Sequence, residues 1–303
     1  MMMASKRPTL KLSVIIVSYN RFAFLRQAVE SVQRSRLPFA CEVIVVDNGS
    51  VGAKTEFSDP FYRNVRIIQN TENVGFGRAN NQGAREAGGQ FLLFLNNDAR
   101  LEGGALLLLV EKMAADPHIG ALGPLLLNED GSFQLSFGKR ISLYSEFYQK
   151  YLAPRLQRRR IGSPPRRDVV RRVGWVSGAC LMTRKEFFPD QRIFDEQLFL
   201  YFEDHELCLR LAKMGKKTIF WSGPAVRHLG GASGSETMSQ VMIEYRRSQL
   251  YLYRQHASRL NFFLLKLYLR QKLAHKIRRL TGKKDDQSQA QELIYRRILA
   301  LIR

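Results

Sequence analysis

The sequence predicts an α/β protein with a mostly parallel central sheet and helices on both faces. Three observations predict it. The runs LSVIIVSYN, CEVIVVDNGS, VRIIQN and QFLLFLNND have strand length and are rich in β-branched or large apolar residues. Segments of helical spacing lie between them, giving α/β alternation. Near-continuous apolar strands suit a sheet covered on both faces. Three of the runs also stop on short polar residues, at SYN, VDNGS and LNND. In such sheets a ligand sits beyond the carboxyl ends of the strands, where short polar side chains can face it.

The elements follow in order. Residues 12–20 form the first strand, and RFAFLRQAVESVQRS follows as a helix with Phe24, Ala28, Val29 and Val32 on its apolar face. Residues 41–50 form a second strand closed by an Asp-Asn-Gly-Ser turn, and residues 65–70 a third. GFGRANNQGAREAG (75–88) reads as a turn and then a helix, with glycines that let the helix start close to a ligand. Its Gly75-x-Gly77 lacks the third glycine of a dinucleotide fingerprint, since Asn80 stands there, and that reading is rejected. QFLLFLNND (90–98) is the fourth strand. HIGALGPLLLNEDGSFQ reads as turn-rich. Residues 153–172 hold eight arginines, three prolines and one acid, and read as a mobile basic loop. Beyond VGWVSGACLMTRKEF, a helix is expected from near Glu203 with Leu207, Leu211 and Met214 as its stripe. TIFWSGPAVRHLGGASG is a strand and a Gly-rich turn. There is no internal repeat.

Composition narrows the function. The chain has 303 residues and a formal net charge of +21, which calls for an acidic partner such as nucleic acid, an anionic membrane or a phosphorylated substrate. The excess is concentrated: residues 246–303 carry 15 Lys plus Arg against three acids. Cys41, Cys180 and Cys208 form no CxxC pair, which excludes a zinc ribbon or thioredoxin-type site and fits a reducing compartment. Neither a signal peptide nor a membrane-spanning run is found, so a cytoplasmic protein is expected.

The candidate chemistry lies at the strand ends. Asp98 caps a helix over DARLEGGALLLLVEK, ligates a hard divalent cation, or acts as a general base. Asp47 is either a turn-forming residue or, with Asn20, a partner for a base and ribose. Glu203 and Asp204 either favour a helix dipole or stand at a walled site where a carboxylate is poised as a base. His228 is either structural or a further metal ligand.

Taken together, SVIIVSYNR, VIVVDNGS, NVGFGRANNQG, LFLNNDA, WVSGACLMTR, FDEQLFLYFEDHELCLRLAKMGKK and VRHLGG resemble the family 2 glycosyltransferases of the GT-A fold. The ordered set runs from about residue 12 to 255, and its spellings are most similar to the rhamnosyltransferase-like branch. The resemblance implies a catalytic domain over 10–245 and a nucleotide-diphosphate sugar as donor, as dTDP-rhamnose or a UDP-hexose. It places Tyr19, Asn20, Asp47, Arg78 and Asn97 with the donor, and Asp98 and His228 on Mg²⁺ or Mn²⁺. Asp204 becomes the catalytic base, with Glu203 beside it at the acceptor. Asn96 stands where many members have Asp. The implied reaction is a single inverting displacement onto a saccharide or lipid-linked saccharide in cell-surface polysaccharide synthesis.

The tail 246–303 reads as a long basic amphipathic helix or helical pair. It lies peripherally on the anionic inner face of the cell membrane, or packs on the catalytic domain with a solvated basic face. The rival readings are a nucleic-acid-binding protein and a non-catalytic relative that binds sugars or membrane. The first lacks aromatic residues on a basic sheet or a reading helix, because the acids gather at strand ends and the cations on the tail.

Overall fold

The computed structural model describes residues 10–140, 168–230, 238–283 and 285–302. The chain opens with β1 (Leu10–Ser18), α1 (Phe22–Gln33), β2 (Ala40–Asp47), a short α2 (Ala53–Glu56), β3 (Val65–Gln69), α3 (Phe76–Glu86) and β4 (Phe91–Asn96). Next come β5 (Ala99–Leu101), α4 (Ala105–Ala115), β6 (Ile119–Leu127), β7 (Phe133–Gln134) and β8 (Phe137–Gly138). The second half holds β9 (Val170–Val173), β10 (Trp175–Val176), β11 (Cys180–Arg184), α5 (Glu203–Lys213) and β12 (Lys217–His228). Three helices close the chain: α6 (Met238–His256), α7 (Arg259–Leu280) and α8 (Asp286–Ala300).

The main sheet has the order β3-β2-β1-β4-β11-β6-β12-β5, with β7 on β6 and β9 on β12. β1 pairs in parallel with both β2 and β4, and β2 with β3. β11 is antiparallel to its neighbours β4 and β6, while β6 and β12 are parallel. Side chains alternate across the sheet as the pleat requires. On β4, Phe91, Leu93 and Leu95 face α1 and α4, whereas Leu92 and Phe94 join the layer that includes Ala84 of α3 and Leu207 of α5. Both faces are thereby buried, which is why the strands read as unbroken apolar runs.

Several local expectations are corrected. The segment 119–127 is not turn-rich but a central strand, with eight of its nine residues buried. Its glycine and proline misled for physical reasons. A Cβ on Gly123 would lie 2.6 Å from Val176 Cβ, so the residue serves close packing rather than a turn. Pro124, which has no N–H, sits where the pairing with β12 slips between Trp221 and Ala225. Leu25 rather than Phe24 fills the buried face of α1, and Met214 is an exposed cap of α5 while Cys208 joins its stripe. The Arg-rich stretch lies outside the described residues up to 167, but Val170–Val173 is a strand on β12 rather than loop. The tail is three helices, and α6 runs through the expected boundary at residue 245.

Cys180 and Cys208 are buried, as small apolar residues are, and all three cysteines are free. Leu250, Tyr253, Leu265, Leu269, Leu273, Ile277, Tyr295, Ile298 and Ile302 form a third apolar cluster inside the tail.

Candidate active site

The parallel register brings Ser18 beside Asp47 and Val17 beside Asn96, so the ends of β1, β2 and β4 share one edge. Beyond it lies a cleft of about 280 Å³, whose lining includes Tyr19, Asn96, Asn97, Glu203, Asp204 and His228. The sheet thus gathers residues that are more than a hundred positions apart in the chain.

Asp98 is held by topology. β4 ends at Asn96, and after one tight turn β5 pairs antiparallel with the end of β12, setting His228 opposite Ala99. Asp98 is 3% exposed, and its Oδ1 is 3.1 Å from His228 Nε2. Neither carboxylate oxygen of Asp98 has a hydrogen-bond donor, and buried Asn96 Oδ1 has none either. The helix-cap reading of Asp98 is therefore wrong: β5 intervenes, and α4 starts after Gly104. His228 Nδ1 faces Gln134 Oε1 at 2.8 Å and Nε2 faces Asn96 Nδ2 at 3.2 Å. If Nδ1 carries the proton to the amide oxygen, the Nε2 lone pair accepts from Asn96 Nδ2 and stands beside Asp98 Oδ1. A lone pair and a bare carboxylate oxygen at hydrogen-bond distance need a cation or a proton between them. The Asp98 carboxylate and the His228 ring, 3.1 Å apart, fit a hard divalent ion, which binds through one or two protein carboxylates and takes its other ligands from phosphate and water. Among the described residues no group of three or more His, Cys, Asp or Glu side chains gathers as a closed metal site.

Across the cleft, α5 begins with the two acids. Asp204 Oδ2 accepts from Gly178 N at 2.9 Å, and Oδ1 accepts from His205 N at 2.7 Å, with His205 Nδ1 also 2.7 Å away. Burial alone would raise its pKa. The charge and hydrogen bond of His205, with the backbone donors, outweigh burial and hold the carboxyl below its ordinary range. Glu203 behaves oppositely. Burial first, and the neighbouring Asp204 charge second, push it up to about 8, and its Oε2 has no partner. Two adjacent carboxyls are thus driven apart, one anionic and one protonated at neutral pH.

The turn before them is strained. Tyr201 and Phe202 both have positive φ, 70° and 68°. Aromatic residues rarely adopt this conformation, which costs of order 1–3 kcal/mol per residue. The neighbours over-determine it. Tyr245 of α6 lies against both rings, at 5.6 and 4.9 Å. Ser248 Oγ donates to Leu200 O at 2.7 Å, and Tyr251 OH to Asp195 Oδ2 at 2.7 Å. From the other side, Asn81 on α3 exchanges hydrogen bonds with the backbone of Phe194. Gly75, at φ 89°, comes so near this segment that a Cβ would stand 2.8 Å from Phe199 O. That glycine serves contact with the chain's own loop as well as the cleft it lines, a correction to the expectation of a ligand alone.

Other expected residues are placed differently. Asp47 is buried, with Oδ2 accepting from Ser50 N and Oδ1 unpartnered. Asn97 Nδ2 donates to Ser18 Oγ at 3.3 Å. Asn20 staples the turn after β2, bonding to Ser50 and Val51. Arg78 faces Glu196 at 3.6 Å on the outer side of α3. Sequence reasoning missed His205, which stacks on Trp175 at 4.2 Å. It also missed Asn48, which binds Asn70, Asn73 and Val74 to shape the cleft wall. The DNGS spelling drew attention to Asp47, while the partner asparagines lie more than 20 residues on.

A family model described as glycosyl transferase family 2 matches residues 13–187. The chain belongs to this family. It is 27% identical over 263 residues to an N-acetylglucosaminyl-diphospho-decaprenol L-rhamnosyltransferase of Mycobacterium tuberculosis (strain ATCC 25618 / H37Rv), covering 81% of this chain and 85% of the relative. It is 31% identical to a GalNAc(5)-diNAcBac-PP-undecaprenol beta-1,3-glucosyltransferase of Campylobacter jejuni, covering 46% of each chain. Among solved structures, GalNAc-T7 with UDP, GalNAc and Mn²⁺ matches with TM-score 0.57 at 20% identity, over 84% of this chain and 52% of that one. This chain therefore spans about half of that structure, and the likeness establishes the GT-A fold. The glycosyltransferase is rhamnosyltransferase-like in its relatives.

Proposed function

We propose that this glycosyltransferase moves rhamnose from a dTDP-sugar onto a lipid-linked saccharide in cell-surface polysaccharide synthesis, inverting the anomeric carbon. A UDP-hexose is the second donor candidate. The observation that carries the reading is one cleft lined by the oriented anionic Asp204 and by His228, with the donor-less carboxylate of buried Asp98 3.1 Å from the His228 ring. The named relatives that act on diphospho-polyprenol sugars support the acceptor class.

Asp98 and His228 are the residues that would hold Mg²⁺ or Mn²⁺ for the donor diphosphate. When bound, the ion supplies Lewis-acid neutralisation of charge on the leaving group. The other steps belong to the chain. Asp204 takes the proton of the acceptor hydroxyl on Oδ2, which among the described residues accepts only from Gly178 N, while Oδ1 is held by His205. Protonated Glu203 donates a hydrogen bond to the acceptor sugar. Tyr19, Asp47 and Asn97 contribute to the donor pocket, with Asn20 holding the turn above it. Arg78 serves α3 through Glu196 and reaches the donor only if that pair opens. The enzyme works on the anionic inner face of the membrane, where its acceptor resides.

Calorimetric titration with a panel of nucleotides and nucleotide sugars, with and without Mn²⁺, tests the reading. Metal-dependent binding of one diphosphate nucleotide, lost in Asp98→Ala, is expected. Absence of nucleotide binding under every condition would sink it.

A further inference from the structure

The three tail helices bury one apolar face of α7 and leave another uncovered. Leu265, Leu269, Leu273 and Ile277 point into the tail cluster. At 100° per residue, the opposite side of the same helix carries Leu260, Phe263, Leu264, Leu267 and Tyr268. These five are exposed, Leu260 by 65% and Phe263 by 61%. Isolated exposed apolar side chains are ordinary on any surface. Here five of the twelve large apolar residues exposed among the described residues fall within nine positions on one helix face. A contiguous patch of this kind marks an interaction site.

The continuation of the face identifies the partner. Beyond Tyr268 the same exposed side runs through Gln271, His275, Arg278 and Arg279, so the apolar half passes into a cationic half. Arg259 and Arg270 are exposed along its flanks. The region 246–303 holds 15 cations against three acids. A second protein copy would have to cover the apolar residues while bringing like charges together, which is unfavourable. An anionic bilayer takes both halves: acyl chains receive the apolar side chains, and headgroups pair with the cations. No helix among the described residues is long and apolar enough to cross a membrane, so the contact is one of lying on the surface.

We propose that α7 is the membrane-docking face, inserting Leu260, Phe263, Leu264, Leu267 and Tyr268 between the headgroups of an anionic bilayer. This deepens the reading of a lipid-linked acceptor and rests on it. Docking by one face of one helix gives the enzyme a defined orientation, because α7 packs on α6, and α6 grips the loop that walls the cleft.

The test uses the full chain and vesicles of phosphatidylcholine alone or mixed with phosphatidylglycerol. The wild type is expected to co-sediment with the mixed vesicles. Changing Leu260, Phe263 and Leu267 together to serine should weaken that binding about tenfold or more, since interfacial affinity scales with buried apolar area. Arg278→Gln with Arg279→Gln, at exposed positions that do not threaten folding, should weaken binding to the mixed vesicles only. Undiminished binding in both variants overturns the proposal. So does a wild-type dimer that the serine variant dissolves without loss of vesicle binding. Nucleotide titration on the same samples separates the two readings. Intact donor binding without vesicle binding removes the docking face and spares the proposed reaction. Vesicle binding dependent on α7, with no nucleotide bound, removes the reaction and spares the docking face.

Discussion

At the scale of single residues, the division of labour between Glu203 and Asp204 comes from their surroundings. Asp204 keeps its charge because His205 and Gly178 donate to it, while Glu203 loses its charge to burial and to its neighbour. Asp204→Asn preserves size and can keep the bond from Gly178, but it cannot accept a proton. Donor affinity by calorimetry should stay near the wild-type value while turnover falls roughly 10²–10⁴-fold, the usual range for loss of a general base. Normal turnover would remove Asp204 from that role. Glu203 also makes a stability prediction. Its carboxyl holds a proton up to about pH 8 in the folded chain but only to about 4.5 when unfolded. Between those values the native state binds more protons, so stability declines as pH rises. The loss begins above the unfolded value and is complete above the folded one. In Glu203→Gln this contribution is absent. Melting temperatures of the ligand-free protein from pH 5 to 8, a window inside those limits, should therefore fall less steeply for the variant than for the wild type. Parallel curves would contradict the assignment.

At the scale of elements, local pattern was readable and long-range partnership was not. The runs of β1, β2 and β4 declared themselves because burial on both faces removes polar interruptions. Asp98, Asp204 and His228 were legible because strand and helix ends are where short polar residues interrupt apolar runs. β6 was hidden, because glycine and proline signal turns locally and their reasons, Val176 and the slip against β12, lie elsewhere in the chain. For the same reason His205 went unnoticed: its significance depends on Trp175, 30 residues earlier. The clearest case is α6, assigned in part to a separate tail. Ser248 and Tyr251 bond to Leu200 and Asp195 in the segment that leads into the strained turn before Glu203 and Asp204, so α6 helps to shape the cleft wall. The bond from Ser248 contributes about 0.5–1.5 kcal/mol and that from Tyr251, to a carboxylate, about 1.5–3 kcal/mol, enough together to offset much of the strain at Tyr201 and Phe202. Ser248→Ala combined with Tyr251→Phe should therefore lower kcat several-fold and leave donor Kd nearly unchanged, since Tyr19, Asp47 and Asn97, the proposed donor residues, are untouched. Steady-state kinetics beside calorimetry would decide it, and an unchanged kcat would show that the turn holds itself.

At the scale of the whole molecule, the +21 charge and the two-faced α7 act over different distances. Electrostatic attraction to an anionic surface is set by the Debye length, about 30 Å at 0.01 M salt and 3 Å at 1 M. Burial of apolar side chains is not screened. The two contributions therefore separate with ionic strength. At low salt the cations alone should bring the protein to mixed vesicles, and the Leu260, Phe263 and Leu267 serine variant should still associate. As salt rises, that variant should leave the vesicles entirely, while the wild type should fall to a salt-resistant plateau maintained by its apolar face. The arginine variants should show the converse: weaker binding at low salt and convergence with the wild type at high salt. Flotation of all three proteins across a salt series measures this directly. If the wild type also loses all binding at high salt, attraction is purely coulombic and the exposed leucines do not enter the bilayer. A plateau that vanishes only in the serine variant would locate the insertion on α7, and with it the side of the molecule that faces a lipid-linked acceptor.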